Sequence, residues 1–407
     1  MTSFEGDDDA MRFQRQVAAV TLPPSRLTAD DLLAEGQRAR RRRRGRSVAA
    51  SVGALVLTAG VVVGIGAYLP EGGGGGTTPA VGAGPLTPSP TTPAARRPCT
   101  VEPLALPHGA VDGAVNAGSP NGRYLAGFIR TKTEPGAPAW WNGSRVQRIP
   151  VSGTGEAKGV NDSGTVVGGS GSRAWTYANG KLTKLPLPQG YTAAEANAIN
   201  DRGQVAGVLF GGGRVAAAVW HGTGADARVE VLKAPKGGAM AFGISDSGIV
   251  VGRLNEGGLY RWDAEGRGSR LAPPGGTTHG HVAGAQGEWA YGAADVSSGD
   301  GTTPDPQMTR RDDGVYVSAA PRAAVLWDLR TGAASAVGDG QVGAVNARGQ
   351  LVVNGPDNTV VLREPDGSQR ELPLPDSTSR YAYALSGDGT RIGGTSKNQP
   401  VRWTCPV

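Results

Sequence analysis

The sequence predicts an all-β protein: a seven-bladed β-propeller ectodomain preceded by one transmembrane helix. Three observations lead there. First, the phrase "AINDRGQVAG" (198–207) returns as "GVNDSGTVVGG", "GISDSGIVVG", "AVNARGQLVVNG" and "ALSGDGTRIGG". Second, these phrases are followed by a hydrophobic strand, in most units closing near a Trp, and then by a segment such as "LTKLPLP". Third, a single charge-free span stands far upstream of the first repeat. Gly (66) and Pro (29) are nearly a quarter of the 407 residues. That composition without a period leans toward disorder, but much of this Gly is periodic, which favours a turn-rich β fold.

The span is "SVAASVGALVLTAGVVVGIGAYL", 47–69. At about 1.5 Å per residue a helix of this length crosses a hydrocarbon core of ~30 Å. Directly before it stand Arg38, Arg40, Arg41, Arg42, Arg43, Arg44 and Arg46. Arginines flanking a span stay on the cytoplasmic side, so they set the topology: 1–46 inside, the rest outside. A cleaved signal peptide fits less well, because the basic run lies far from the N-terminus and the apolar stretch exceeds the usual ~7–15 residues. The expected organisation is a cytoplasmic segment (1–46), a membrane helix (47–69), a Gly-rich then Pro/Thr-rich linker (70–98) and the propeller (99–407). The segment 1–46 is too small to bury a core; "LTADDLLAEG" suggests one short helix.

The net charge of +6 divides evenly, +3 in 1–46 and +3 in 71–407. The large outer part therefore has no concentrated basic face, and nucleic acid is not an expected partner. The arginine run is read as a topology signal with contact to anionic lipid.

Within the repeat holding the opening phrase, "AEANAI" is a first strand, "NDRG" a turn, and "QVAGVLF" a second strand. "VAAAVW" is a third and "RVEVLKAP" a fourth. Alternation and β-branched content support each. Four antiparallel strands in about 40 residues make a propeller blade. Repeats begin near 116, 161, 200, 245, 283, 346 and 386. The first and fifth are loosest, so six or eight blades stay open as counts.

The seventh repeat supplies only three strands before the chain stops. The missing fourth has its counterpart in "VEPLALP", 101–107, just after the linker. The N-terminal end of the domain is thus expected to complete the last blade and remove its free edges. Cys405 would end the third strand and Cys99 begin the fourth, across the point where other blades have a hairpin. A Cys99–Cys405 disulfide is expected there, consistent with an oxidising exterior.

The pattern "[GA]-[IV]-N-x-x-G-x-V-x-G", a strand ending in Trp, then "L-x-L-P", resembles the HAF-type extracellular repeat family of bacterial surface proteins. The resemblance covers most of 110–403. It implies an extracellular β-propeller and brings no catalytic residues with it.

Signs of chemistry are sparse. The histidines are His108, His221, His279 and His281. "THGH" has the spacing of half a metal site, but no third ligand is near in sequence, so these read as loop histidines. "SSGDGTTPDP" and "RRDDG" do not match a calcium loop. "GSGSR" and "GISDSG" lie in hairpins rather than at a strand–turn–helix nucleophile elbow. No catalytic residue, metal or cofactor is expected. Paired carboxylates brought together in space stay open. Trp175, Trp220, Trp262, Trp327 and Trp403 are expected to pack between blades.

The longest irregularity is "SSGDGTTPDPQMTRRDDGVYVSAAP", 297–321, a second-to-third connection of blade five. Loops of this length in compact domains are usually either functional or disordered. It is the candidate binding loop, carrying Asp300, Asp305, Arg310, Arg311, Asp312, Asp313 and Tyr316. The function expected is a membrane-anchored module that binds or scaffolds an envelope protein or glycan. The alternatives are a transmembrane sensor relaying to 1–46 and a propeller hydrolase or lyase. Oligomeric state has no signature in the sequence.

Overall fold

The computed structural model describes residues 97–235, 237–297, 308–310, 316–318, 321–373 and 380–406. The chain divides into two units, Met1–Ser89 and Pro90–Val407, and the description concerns the second. The apolar span 47–69, the arginines before it and most of the linker lie outside the described residues. Among the described residues no helix is long and apolar enough to cross a membrane.

The second unit is a seven-bladed β-propeller. Blade three shows the plan: Ala193–Ile199, Gln204–Gly211, Arg214–His221 and Arg228–Val231 pair antiparallel in chain order. Blades one, two, four, five and six occupy 110–148, 155–184, 239–271, 277–339 and 341–371. The first strands touch one another around a closed ring. Blade seven takes Arg380–Leu385, Arg391–Ser396 and Gln399–Thr404 from the C-terminus, and its outer strand is Thr100–Pro103. Thr100 lies opposite Thr404 and Pro103 opposite Val401. Cys99 and Cys405 are bonded, with Cα atoms 4.2 Å apart, where other blades have a hairpin. The ring therefore closes as the sequence implies.

Seven hydrophobic clusters hold the described residues, each filling one seam between adjacent blades. Between blades three and four, for example, Ala206, Val219 and Leu232 meet Ala241, Ile244 and Trp262. Five tryptophans add a directed tie. Trp220 Nε1 donates to Pro186 O (2.8 Å), Trp262 to Lys233 O (2.6 Å), and Trp327 to Ala272 O (2.8 Å). Trp403 donates to Pro373 O (2.7 Å) and Trp141 to Ala105 O (2.8 Å). Each acceptor is the residue after the buried Leu that ends the previous blade, the Leu of "LxLP".

Trp175 departs from this series. Tyr177, not Trp175, pairs with Val166, the position corresponding to Val205 opposite Trp220. Trp175 lies two residues earlier, buried under Gly168, where an added Cβ would stand 2.5 Å from its ring. The packing role expected for all five tryptophans holds, but in blade two the equivalent position belongs to Tyr177.

The recurring phrase has three structural duties. It makes the turn: Asn200 Oδ1 accepts from the Gln204 amide at 2.9 Å, and Gly203 takes φ +75°. It staples blades: Asn161 Nδ2 donates to Asn200 O (3.1 Å), Asn200 Nδ2 to Ser245 O (2.9 Å), and Asn346 Nδ2 to Ser386 O (3.0 Å). It also admits a bulge. Gly207 lies where the first strand bulges, and an added Cβ would meet Glu195 O at 2.0 Å.

Two repeat origins shift. Asn116 is not the turn residue of blade one. Ser119 is, with its Oγ accepting from the Tyr124 amide at 3.0 Å. In blade five the equivalent is Gln286, not Ala283. An extra residue in the blade-one turn and the absence of Asn in blade five obscure the alignment.

Candidate ligand-binding site on the propeller axis

Along the first strand of blade three, as in blades two and four, buried residues alternate with more exposed ones: Ala194 and Ala196 against Glu195 and Asn197. The half-exposed set faces the axis. In every blade the strand is interrupted by a register shift at the residue three before the turn residue. A bulge adds one unpaired residue and re-aims its side chain. From blade one to blade seven that residue is Asn116, Lys158, Asn197, Phe242, Ala283, Gly343 and Tyr383.

A cavity of about 120 Å³ lies on the axis at this level, lined by residues of all seven blades, including six of these bulge residues. It also touches Pro120, Asn200, Asp201 and Asp246. It therefore opens on the face of the first-to-second turns, the face that also carries the disulfide.

Its walls differ. On the side of blades one to three, Lys158 Nζ lies 2.8 Å from Glu195 Oε2 and 3.3 Å from Asn197 Oδ1. Asn197 Nδ2 donates to Ala241 O (2.8 Å), and Asn116 Nδ2 to Ala157 O (3.2 Å). Thus both amides are held by the next blade. On the other side stand Phe242 and Tyr383, the latter stacked on Tyr381 with centroids 6.0 Å apart. Between these two aromatics the bulge residues are Ala283, which lines the cavity, and the buried Gly343, which does not. Tyr291 also lines the cavity, and burial pushes its hydroxyl up to about 12, so it stays a proton donor. At the mouth, burial raises Asp201 above its ordinary carboxylate value, with Asp162 and Asp246 adding repulsion against a hydrogen bond from the Asp162 amide.

The strand ends joined by 297–321, the second and third strands of blade five, lie at the opposite face. Within that segment Met308–Arg310 and Tyr316–Ser318 pair as a small hairpin, with Arg310 opposite Tyr316. Asp300, Asp305, Arg311, Asp312 and Asp313 lie outside the described residues. Near the root of this loop, Asp295 is buried between Arg322 Nε (3.3 Å) and His281 Nε2 (3.6 Å). Burial lowers His281, with Asp295 acting against it. His279 and His281 belong to the strand Thr277–Gln286, not to a loop. His221 Nε2 meets Glu230 at 2.8 Å. Among the described residues no three His, Cys, Asp or Glu side chains gather as a metal site requires.

The bulge residues carry no motif of their own in the sequence. One signal was available: aligning the seven repeats on the turn residue makes the column three positions earlier the divergent one, reading N, K, N, F, A, G, Y.

No family model matches the chain, and no curated protein matches it in sequence. Many solved structures match in shape. A chain of the mitotic checkpoint complex shares 16% identity and a TM-score of 0.50, covering 80% of this chain and 98% of that one. A streptogramin B lyase has 13% and 0.48, covering 76% and 98%. The WD40 β-propeller domain of Doa1 has 14% and 0.44, covering 75% and 97%. At these identities the likeness is one of fold alone: this chain is a β-propeller.

Proposed function

We infer that the protein is a membrane-anchored, extracellular binding module of the cell envelope. The observation that carries binding is the axial cavity. Its wall residues are amides and one ion pair, held by contacts to neighbouring blades, together with aromatic rings, which is how a preformed ligand site is built. The Cys99–Cys405 bond supports an oxidising location. The apolar span 47–69 and the arginines before it support a single-pass anchor with the propeller outside. The resemblance to HAF-type repeats agrees with both.

Cells expressing the chain with a tag at each end test the topology. External protease should remove the C-terminal tag and spare the N-terminal one; the reverse pattern overturns the reading. Photocrosslinking on intact cells tests binding, with the reactive residue placed at Ala283 in the cavity. A discrete envelope adduct, absent when the residue is moved to the outer-strand position Val231, is expected. Equal labelling from both positions would count against a cavity ligand.

A further inference from the structure

Seven copies of one repeat serve as an internal comparison. Where the repeats do the same job their residues mostly agree: Asn or Ser at six of the seven turns, and Leu at the end of the fourth strand in five blades. Where they face the cavity they differ. A ring that needed only to close could use small residues throughout, as blade five does with Ala283; in blade six Gly343 is buried, and the Asn354 amide fills the place a side chain would take. The other five blades instead place an amide, an ammonium, an amide, a phenyl and a phenol there.

Their order around the ring matters. The polar groups are contiguous in blades one to three, and the two aromatics flank the two small residues. A ligand seated beside Ala283 would meet Phe242 and Tyr383 on its apolar face. Its polar edge would meet Asn116, Lys158 and Asn197. The polar wall has no uncompensated cation, because Glu195 lies against Lys158 at 2.8 Å. Asp201 and Asp246 at the mouth oppose an anion. No described residue donates to Asn116 Oδ1, so that atom is left to accept from a ligand hydroxyl. The cavity of about 120 Å³ is open to solvent at its mouth, so a ring enters it edge first with its far side in the mouth.

We propose that the axial cavity takes one neutral hexopyranose ring, the terminal unit of an envelope glycan. Such a ring has a C–H face that packs on aromatics and an edge of hydroxyls that both donate and accept, matching the two walls. The assignment rests on the binding-module reading and specifies its ligand class.

The test uses the full-length chain in detergent and saturation-transfer difference NMR. The neutral probes are methyl α-mannoside, methyl β-galactoside and methyl β-N-acetylglucosaminide; glucuronate is the anionic comparison and choline the cationic one. At least one neutral glycoside should show transfer concentrated on one ring face. Tyr383→Ala should weaken its affinity tenfold or more with the cooperative melt retained. Lys158→Met combined with Glu195→Gln removes the pair without stranding a charge, and should weaken it likewise. Absence of transfer from all three glycosides overturns the proposal, as does tighter binding of glucuronate or choline, or affinity unchanged in both variants. If crosslinking from Ala283 still captures an envelope component while no glycoside binds, the sugar assignment falls and the binding module stands.

Discussion

Two rings of residues run through the same seven blades and obey opposite rules. The seam ring consists of the indoles of Trp141, Trp220, Trp262, Trp327 and Trp403, each tied to the carbonyl of the preceding blade. The axial ring consists of the seven bulge residues. The seam position is a buried Trp in five blades, with Tyr177 in blade two and Arg363 in blade six; the axial ring is divergent and mostly half-exposed. Uniformity across repeats marks a position whose job is set by the scaffold. Divergence at a position facing a shared cavity marks a job that differs from blade to blade. The seam ring should therefore govern stability and the axial ring binding, and each variant below pulls on one side of that contrast.

The largest stability effect should come from Trp220→Ala. The indole is fully buried, and its loss leaves a cavity and an unpaired Pro186 carbonyl. A cost of about 3–5 kcal/mol in urea denaturation is expected. Trp220→Phe keeps most of the apolar contact and should cost no more than about 1.5 kcal/mol, chiefly the lost hydrogen bond. A mild effect of Trp220→Ala would mean that the blades are held by something other than the seams. Next in size is Cys99→Ser with Cys405→Ser. The bond spans 306 residues of sequence, so its loss frees a very long loop in the unfolded state. A loss of about 2–5 kcal/mol is expected, read by comparing denaturation midpoints with those of the untouched protein. A fall in midpoint without loss of the cooperative transition would show that strand Thr100–Pro103 still pairs.

The uniform ring was readable in the sequence because the repeat states it many times over. Blade number, the N-terminal closing strand and the cysteine pair all follow from counting strands against a period. What escaped was set by geometry between blades. Nothing in "AINDRGQVAG" says that Asn200 Nδ2 reaches the Ser245 carbonyl, because that partner lies a whole repeat away. Trp175 looks like its counterparts in sequence, yet a two-residue offset hands their position to Tyr177. The axial residues were hidden for another reason. At 297–321 the repeat breaks in length, which a sequence displays openly. The break in residue type at Phe242 or Tyr383 leaves the length intact.

Gly207→Ala tests the link between the rings. The added methyl would stand 2.0 Å from the Glu195 carbonyl, a backbone atom that cannot swing aside. A loss of about 1–3 kcal/mol in denaturation is expected. Binding should weaken too, since the displaced segment carries Glu195 and Asn197. Full stability would mean that the bulge is not required. Phe242→Ala sits on the other side of the contrast. Its half-exposed ring should cost no more than about 1.5 kcal/mol while removing an aromatic wall of the cavity. A loss as large as that of Trp220→Ala would erase the distinction between the rings.

The smallest effect expected is that of Asp201→Asn, and its sign is informative. Burial raises the carboxyl above its ordinary value of 3.8, and the neighbouring Asp162 and Asp246 push the same way. A raised carboxyl holds its proton longer in the folded state than in the unfolded one. Its stabilising contribution is therefore present at low pH and is lost as pH rises through the folded value. At neutral pH the charge is carried at a cost that Asn does not bear, and Asn still offers an oxygen to the Asp162 amide, which now donates to Asp201 Oδ1 at 2.8 Å. The variant should be at least as stable as the parent at pH 7, by no more than about 0.5 kcal/mol. The difference should shrink as pH falls below 3.8, where both side chains are neutral. Melts at several pH values decide it. A destabilised variant at pH 7 would mean that the charge on Asp201 strengthens the staple to Asp162 by more than burial and repulsion oppose it. The turn face would then belong wholly to the scaffold, with no cost held at the mouth of the cavity.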